Sequence, residues 1–190
     1  KKCIFGYTMP QFLEAIRSPE EWSHTLWNST DEGAESASLF SIERKQADRP
    51  SDLFLRLWYL DICFSEEWSP ENQPSRPDEV DYLYRYLGKD LEAAPFTKVE
   101  VEVWSRETAW ILQMIRDRIE AQNRLSKTPA EAHYLNRPGV YFNHKPVSLD
   151  FLPTFSTPQA VWSISLTIAD TRLFGLTQGN ALLFSWGTGA

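Results

Sequence analysis

Apolar and polar positions along the chain follow two different periods, and the changes of period divide it into elements. "KKCIFGY" is a short apolar run closed by Thr8 and Pro10, which predicts a first strand. Thr8 and Gln11 have the spacing of a capping box, so "PQFLEAIR" is expected to form one or two helical turns with Phe12, Leu13 and Ile16 inward. "SPEEWSHTLW" repeats the start signal with Ser18 as N-cap, Pro19 in the first turn and Glu20 and Glu21 behind it, and predicts a helix carrying Trp22 and Leu26 on one face. The small polar stretch "NSTDEGAESAS" then reads as a mobile loop near 28–38.

"LFSIER" and "DLFLRLWYLDICF" predict two strands joined by "KQADRPS". At period two, Leu53, Leu55, Leu57, Tyr59, Asp61 and Cys63 share one side of the second, and Phe54, Arg56, Trp58, Leu60, Ile62 and Phe64 the other. Both sides are apolar, so the segment reads as a central strand on which Arg56 and Asp61 need separate partners. Proline-rich loops are expected near 65–76 and, less regularly, 124–139. Between them Pro77, Asp78 and Glu79 open an amphipathic helix with Val80, Leu83, Tyr84, Leu87 and Leu91 in its stripe. "FTKVEVEVWS" alternates as a half-buried strand, with Lys98, Glu100, Glu102 and Trp104 on the wet side. Ser105 then caps a long helix that turns Ile111, Met114, Ile115 and Ile119 inward.

"GVYFNH" and "VSLDF" suggest a small hairpin, and the region from Trp162 to Trp186 reads as strand, turn, strand, turn, strand. The pattern lacks a regular βαβ alternation. It predicts an α+β fold: an antiparallel or mixed sheet with two to three packed amphipathic helices and a C-terminal β-meander. At 190 residues one globular domain spanning 1–190 is expected.

Composition changes this picture in two places. The chain holds 8 Trp, and its net charge of −7 is unevenly placed. Asp61, Glu66, Glu67, Glu71, Asp78, Glu79 and Asp81 are opposed only by Arg76 between positions 61 and 81, a field that repels phosphates and anionic membranes and attracts basic proteins. Without a basic stripe, nucleic acid is not an expected partner, and no apolar run is long enough to cross a bilayer. Cys3 and Cys63 lie in apolar segments and read as reduced, buried thiols, which suits a cytoplasmic protein. The N-terminal apolar stretch is too short for a signal peptide.

Catalytic signals are weak. His24, His133 and His144 are scattered, there is no CxxC, GxSxG or phosphate-loop motif, and no cofactor or metal is expected. The best enzymatic candidate is "HYLNRPGVYFNH", which brings His133 and His144 close in sequence and could line a small-molecule pocket with Asp61. The favoured expectation is instead a non-enzymatic protein that binds or neutralises a basic protein partner, as an immunity protein inhibits a toxin. The surface expected to do so comprises Glu66, Glu67, Trp68, Glu71, Asp78, Tyr82, Tyr86, Glu100, Glu102 and Trp104, with aromatic anchors inside an acidic rim.

Overall fold

In the computed structural model the described residues are 4–16, 21–29, 35–65, 77–93, 96–125, 140–142, 145–146, 156–166 and 170–188. The chain is α+β. Its strands are β1 (Trp22–Ser29), β2 (Glu35–Glu43), β3 (Thr97–Val99), β4 (Val140–Phe142), β5 (Lys145–Pro146), β6 (Ala160–Leu166), β7 (Asp170–Leu176) and β8 (Asn180–Thr188). They form an 8-stranded sheet in the order β3-β6-β7-β8-β2-β1-β4-β5, and every pairing is antiparallel. The helices are α1 (Met9–Ala15), α2 (Pro50–Ser65), α3 (Pro77–Ala93) and α4 (Val101–Leu125).

The central strands alternate cleanly, which builds one apolar layer on each side of the sheet. Phe40 and Ile42 of β2, Phe174 and Leu176 of β7, and Ala181 and Leu183 of β8 join α1, α2 and α3 in the larger core. Leu173, Leu182, Phe184 and Trp186, with Val161 of β6, join Trp104 and Ile111 of α4 in the smaller one. The molecule is thus layered helix, sheet, helix, with α3 and α4 on opposite faces.

The run from Asp52 to Phe64 is the largest departure from expectation, because it is α2 and not a central strand. Leu53, Phe54, Leu55, Leu57, Trp58, Tyr59, Leu60, Ile62 and Cys63 are all buried, so from Leu53 to Cys63 this helix is enclosed except at half-buried Arg56. A helix surrounded by protein has no polar face, hence no 3.6-residue period to detect. Asp61 is buried at 8% exposure and is engaged in an interaction, while Arg56 is half-buried. Pro50 at the start and Asp52 in the first turn are the helix signals that the apolar run obscured.

Three further expectations change. Trp22–Ser29 is a strand rather than a helix, held in register by Trp22 opposite Ile42 and His24 opposite Phe40; Ser18 to Glu20 lie outside the described residues. Ile4–Gly6 is a 3-10 turn rather than a strand, with Phe5 and Gly6 at φ 51° and 75°. The strand at Thr97 stops at Val99, and α4 begins at Val101, ahead of the expected cap at Ser105. The loop expected near 28–38 is also shorter, since Asn28 and Ser29 end β1 and Glu35 opens β2. Its remaining residues 30–34, and the expected loops over 66–76 and 126–139, lie outside the described residues. The hairpin is present as β4 and β5, but its second strand is Lys145–Pro146, and "VSLDF" beyond it lies outside the described residues.

The capping box at Thr8, the amphipathic helix from Pro77 and the meander β6-β7-β8 stand as expected. Gln11 Oε1 accepts from Thr8 N–H at 2.8 Å and from Thr8 Oγ1 at 3.0 Å. The last turn of the meander is closed by Thr177 N–H donating to Asn180 O at 2.9 Å and Asn180 N–H donating to Thr177 Oγ1 at 2.9 Å.

Candidate functional site

The exposed side of α3 carries the described part of the expected binding surface. Leu83 and Leu87 anchor the helix in the larger core and Val80 is also buried, which turns Asp78, Tyr82, Arg85 and Lys89 outward along one stripe. Tyr82 is 44% exposed, and its ring lies 6.0 Å from that of half-buried Tyr86 at 42°. The two rings are one helical turn apart and form a continuous aromatic ridge. Asp81 is half-exposed beside it and pairs with Arg85 one turn on. The ridge is therefore flanked by Asp78 and Asp81 towards the helix start and by Arg85 and Lys89 further on, so the described surface carries both signs of charge.

Glu100 and Glu102 are exposed, but they lie at the start of α4, in the layer on the other face of the sheet from α3. The structure thus does not bring them together with Tyr82 and Tyr86. Trp104 differs outright from expectation. At 1% exposure it is a core residue, with its ring 5.9 Å from that of Phe184. The helix places Trp104, Thr108 and Ile111 on one inward stripe, whereas the strand expected there had put Trp104 on the wet side. Glu66, Glu67, Trp68 and Glu71 lie outside the described residues, as do His133 and His144 of the alternative pocket. Comparison with protein-family models, with curated protein sequences and with solved structures finds no match.

Elsewhere the polar chemistry serves packing. Tyr7, 4% exposed, donates its phenol proton to Asp52 Oδ1 at 2.5 Å, and its oxygen lies 2.5 Å from Ser51 Oγ. Arg49 grips the same carboxylate through Nε at 3.0 Å and NH2 at 3.1 Å and places its guanidinium 4.8 Å from the centre of the Tyr7 ring. Burial pushes the Asp52 carboxyl up, but the hydrogen bonds from Arg49 and Tyr7 and the charges of Arg49 and Arg56 outweigh it and hold the group below its ordinary value. Tyr7 moves up, first through burial and then through its bond to Asp52. This cluster pins the N-terminal turn to the first turn of α2, where a carboxylate also favours the helix dipole.

Two buried groups on α2 have equally plain causes. Burial raises the Cys63 thiol, with a bond to Tyr59 acting the other way, so the thiolate needed for nucleophilic work is disfavoured. Tyr59 is raised by burial and by Cys63. His24 stacks on Phe40 at 4.1 Å and 10°, and burial there pushes its imidazole down to about 4. Among the described residues, no group of three or more His, Cys, Asp or Glu side chains is placed to hold a metal ion, and no helix is long and apolar enough to cross a membrane.

Sequence reading missed Trp110. It is 49% exposed on α4 and stands edge-on to Trp186, 4.7 Å between ring centres at 88°. It lies one position before Ile111 on the helix already expected from Ser105, and the inward phase of Ile111 and Met114 was the signal that could have placed it outward.

Proposed function

We propose that this chain is a non-enzymatic, cytoplasmic protein-binding protein that engages a basic protein partner through the outer face of α3. An immunity protein inhibiting a cationic toxin domain is one instance of this type. The observation that carries the reading is the Tyr82/Tyr86 ridge, two phenol rings 6.0 Å apart with Tyr82 44% exposed. Tyrosine supplies large contact area at low entropic cost and keeps a polar tip for hydrogen bonding. Asp78 and Asp81 supply charge at the helix N-terminal end, and Glu66, Glu67 and Glu71 precede that end in sequence. Such charge steers a basic partner and makes its association dependent on salt. Glu100, Glu102 and Trp104 fall away from the binding surface in this reading.

The test is affinity capture from host lysate at low and moderate salt with the wild-type chain and with Tyr82→Ala/Tyr86→Ala. The expected result is a basic protein held by the wild type at low salt and lost from the variant, with affinity about thirtyfold weaker if the pair acts as an interfacial anchor. Equal recovery by both proteins would remove the ridge from the interface. A captured protein that is acidic, or indifferent to salt, would contradict the electrostatic part.

A further inference from the structure

The outer face of α4 carries charges of opposite sign, placed symmetrically about a small residue. Its exposed stripe is Glu102, Ser105, Ala109, Trp110, Gln113 and Arg116. Glu102 lies seven positions before Ala109 and Arg116 seven after it. Seven residues are about two helical turns, so both charges lie nearly in line with Ala109. We propose that this face is the contact of a homodimer in which two α4 helices cross antiparallel on a two-fold axis at Ala109.

In that arrangement Glu102 of each copy meets Arg116 of the other, twice by symmetry, and Ser105 meets Gln113. A parallel arrangement would set Glu102 against Glu102. The methyl group of Ala109 at the axis lets the helices approach to the short end of the usual 8–10 Å separation. Trp110, one position from the axis, then flanks the crossing in duplicate. Its perpendicular contact with Trp186 already orders the ring, so burying its 49% exposed surface costs little side-chain freedom.

The occupant follows from the charge pattern. Glu102 and Arg116, the charged residues of the stripe, are both exposed and leave it with no net charge, which suits neither a basic nor an acidic foreign partner. Glu102 and Arg116 are opposite in sign and equidistant from Ala109, so the stripe is complementary to its own reverse. Because α3 lies in the opposite layer, this contact is independent of the surface assigned to a basic partner and leaves it open on both copies.

Sedimentation velocity from about 1 to 100 µM reads the outcome. The wild type should show a concentration-dependent dimer. Trp110→Ala and Arg116→Glu should each weaken it about tenfold or more, and Glu102→Arg combined with Arg116→Glu should restore most of the loss that either charge reversal causes alone. In a Cys3→Ser background, Ala109→Cys should form a covalent dimer under mild oxidant, since Cys63 is buried at 1% exposure. All four positions are exposed, so far-UV circular dichroism and the unfolding midpoint should match the wild type. A wild type monomeric throughout this range overturns the proposal. So does a dimer that is indifferent to Arg116→Glu and leaves Ala109→Cys uncrosslinked.

Discussion

Gly175→Ala tests the packing of the smaller core where it is tightest. Gly175 sits on β7 between Val161 of β6 and Leu182 of β8, at the centre of the sheet. A β-carbon added there would lie 2.6 Å from Pro158 Cγ, 3.0 Å from Pro158 Cβ and 3.1 Å from Trp104 Cζ3. Favourable carbon contacts lie at roughly 3.5–4.0 Å, so all three approaches are repulsive. Neither neighbour can swing away, since Pro158 is a buried ring and Trp104 is enclosed at 1% exposure. Overpacking of this kind costs about 1–3 kcal/mol, against which replacing glycine gains about 0.4–1 kcal/mol through the unfolded chain. A net loss of about 1–2 kcal/mol is expected, roughly 2–4 °C in melting temperature per kcal/mol for a chain of this size. Urea unfolding followed by tryptophan fluorescence should show a lower midpoint with an unchanged slope. Pro158→Ala in the Gly175→Ala background removes the atom in closest contact and should recover part of the loss. A Gly175→Ala protein as stable as the wild type would refute the close packing of Trp104 against β7.

Other perturbations read other parts of the structure. Leu57→Ala in the enclosed helix α2 should cost about 2–5 kcal/mol by chemical denaturation, whereas Tyr82→Ala on the open face of α3 should stay within about 0.5 kcal/mol; similar costs at both sites would contradict the layering. Because His24 is lowered to about 4, the folded protein binds fewer protons than the unfolded chain between there and the ordinary imidazole value near 6.5, and stability should fall as pH drops through that interval. For a half-buried ring the effect is on the order of 1 kcal/mol, and His24→Gln should flatten that slope of stability against pH. Asp52 is held low, so its contribution is present above the ordinary carboxylate range and lost as pH falls through its depressed pKa. Asp52→Asn should accordingly cost about 1–2 kcal/mol at neutral pH and weaken the acid limb of the stability profile, with thermal melts from pH 2 to 7 as the check.

What was legible in the chain follows from where periodicity survives burial. The amphipathic helix α3 has one wet face, so the spacing of Val80, Leu83 and Leu87 showed it directly. The meander shows itself in the same way, through period-two alternation and polar turns. Helix α2 is different: from Leu53 to Cys63 every residue but Arg56 is buried, and an apolar run without a period fits a strand or a helix equally well. Its length of 16 residues, beyond the usual strand, was the better guide. β1 failed for the opposite reason. Ser18, Pro19, Glu20 and Glu21 make a convincing local helix start, and Trp22 and Leu26 are spaced as a helical pair, yet pairing with β2 over seven positions from Trp22 to Asn28 overrides local preference. At the β3 to α4 junction the valines satisfy both periods at once, because Val99 ends the strand while Val101 and Val103 flank the helix stripe begun by Trp104. That ambiguity moved Trp104 from the core to the surface. Tyr82 could be placed on the open side because it sits off the apolar stripe of a helix of clear phase, while Tyr86 pads the edge of the larger core.

Hydroxyl-radical footprinting of the chain alone and in complex with the captured basic protein tests the functional reading most directly. Tyr82 at 44% exposure and Trp110 at 49% are both open to oxidation in the free protein. Binding through α3 requires that the partner protect Tyr82 and Tyr86 strongly while Trp110, on α4 in the opposite layer, keeps its reactivity. Unchanged oxidation of Tyr82 in a saturated complex would contradict it.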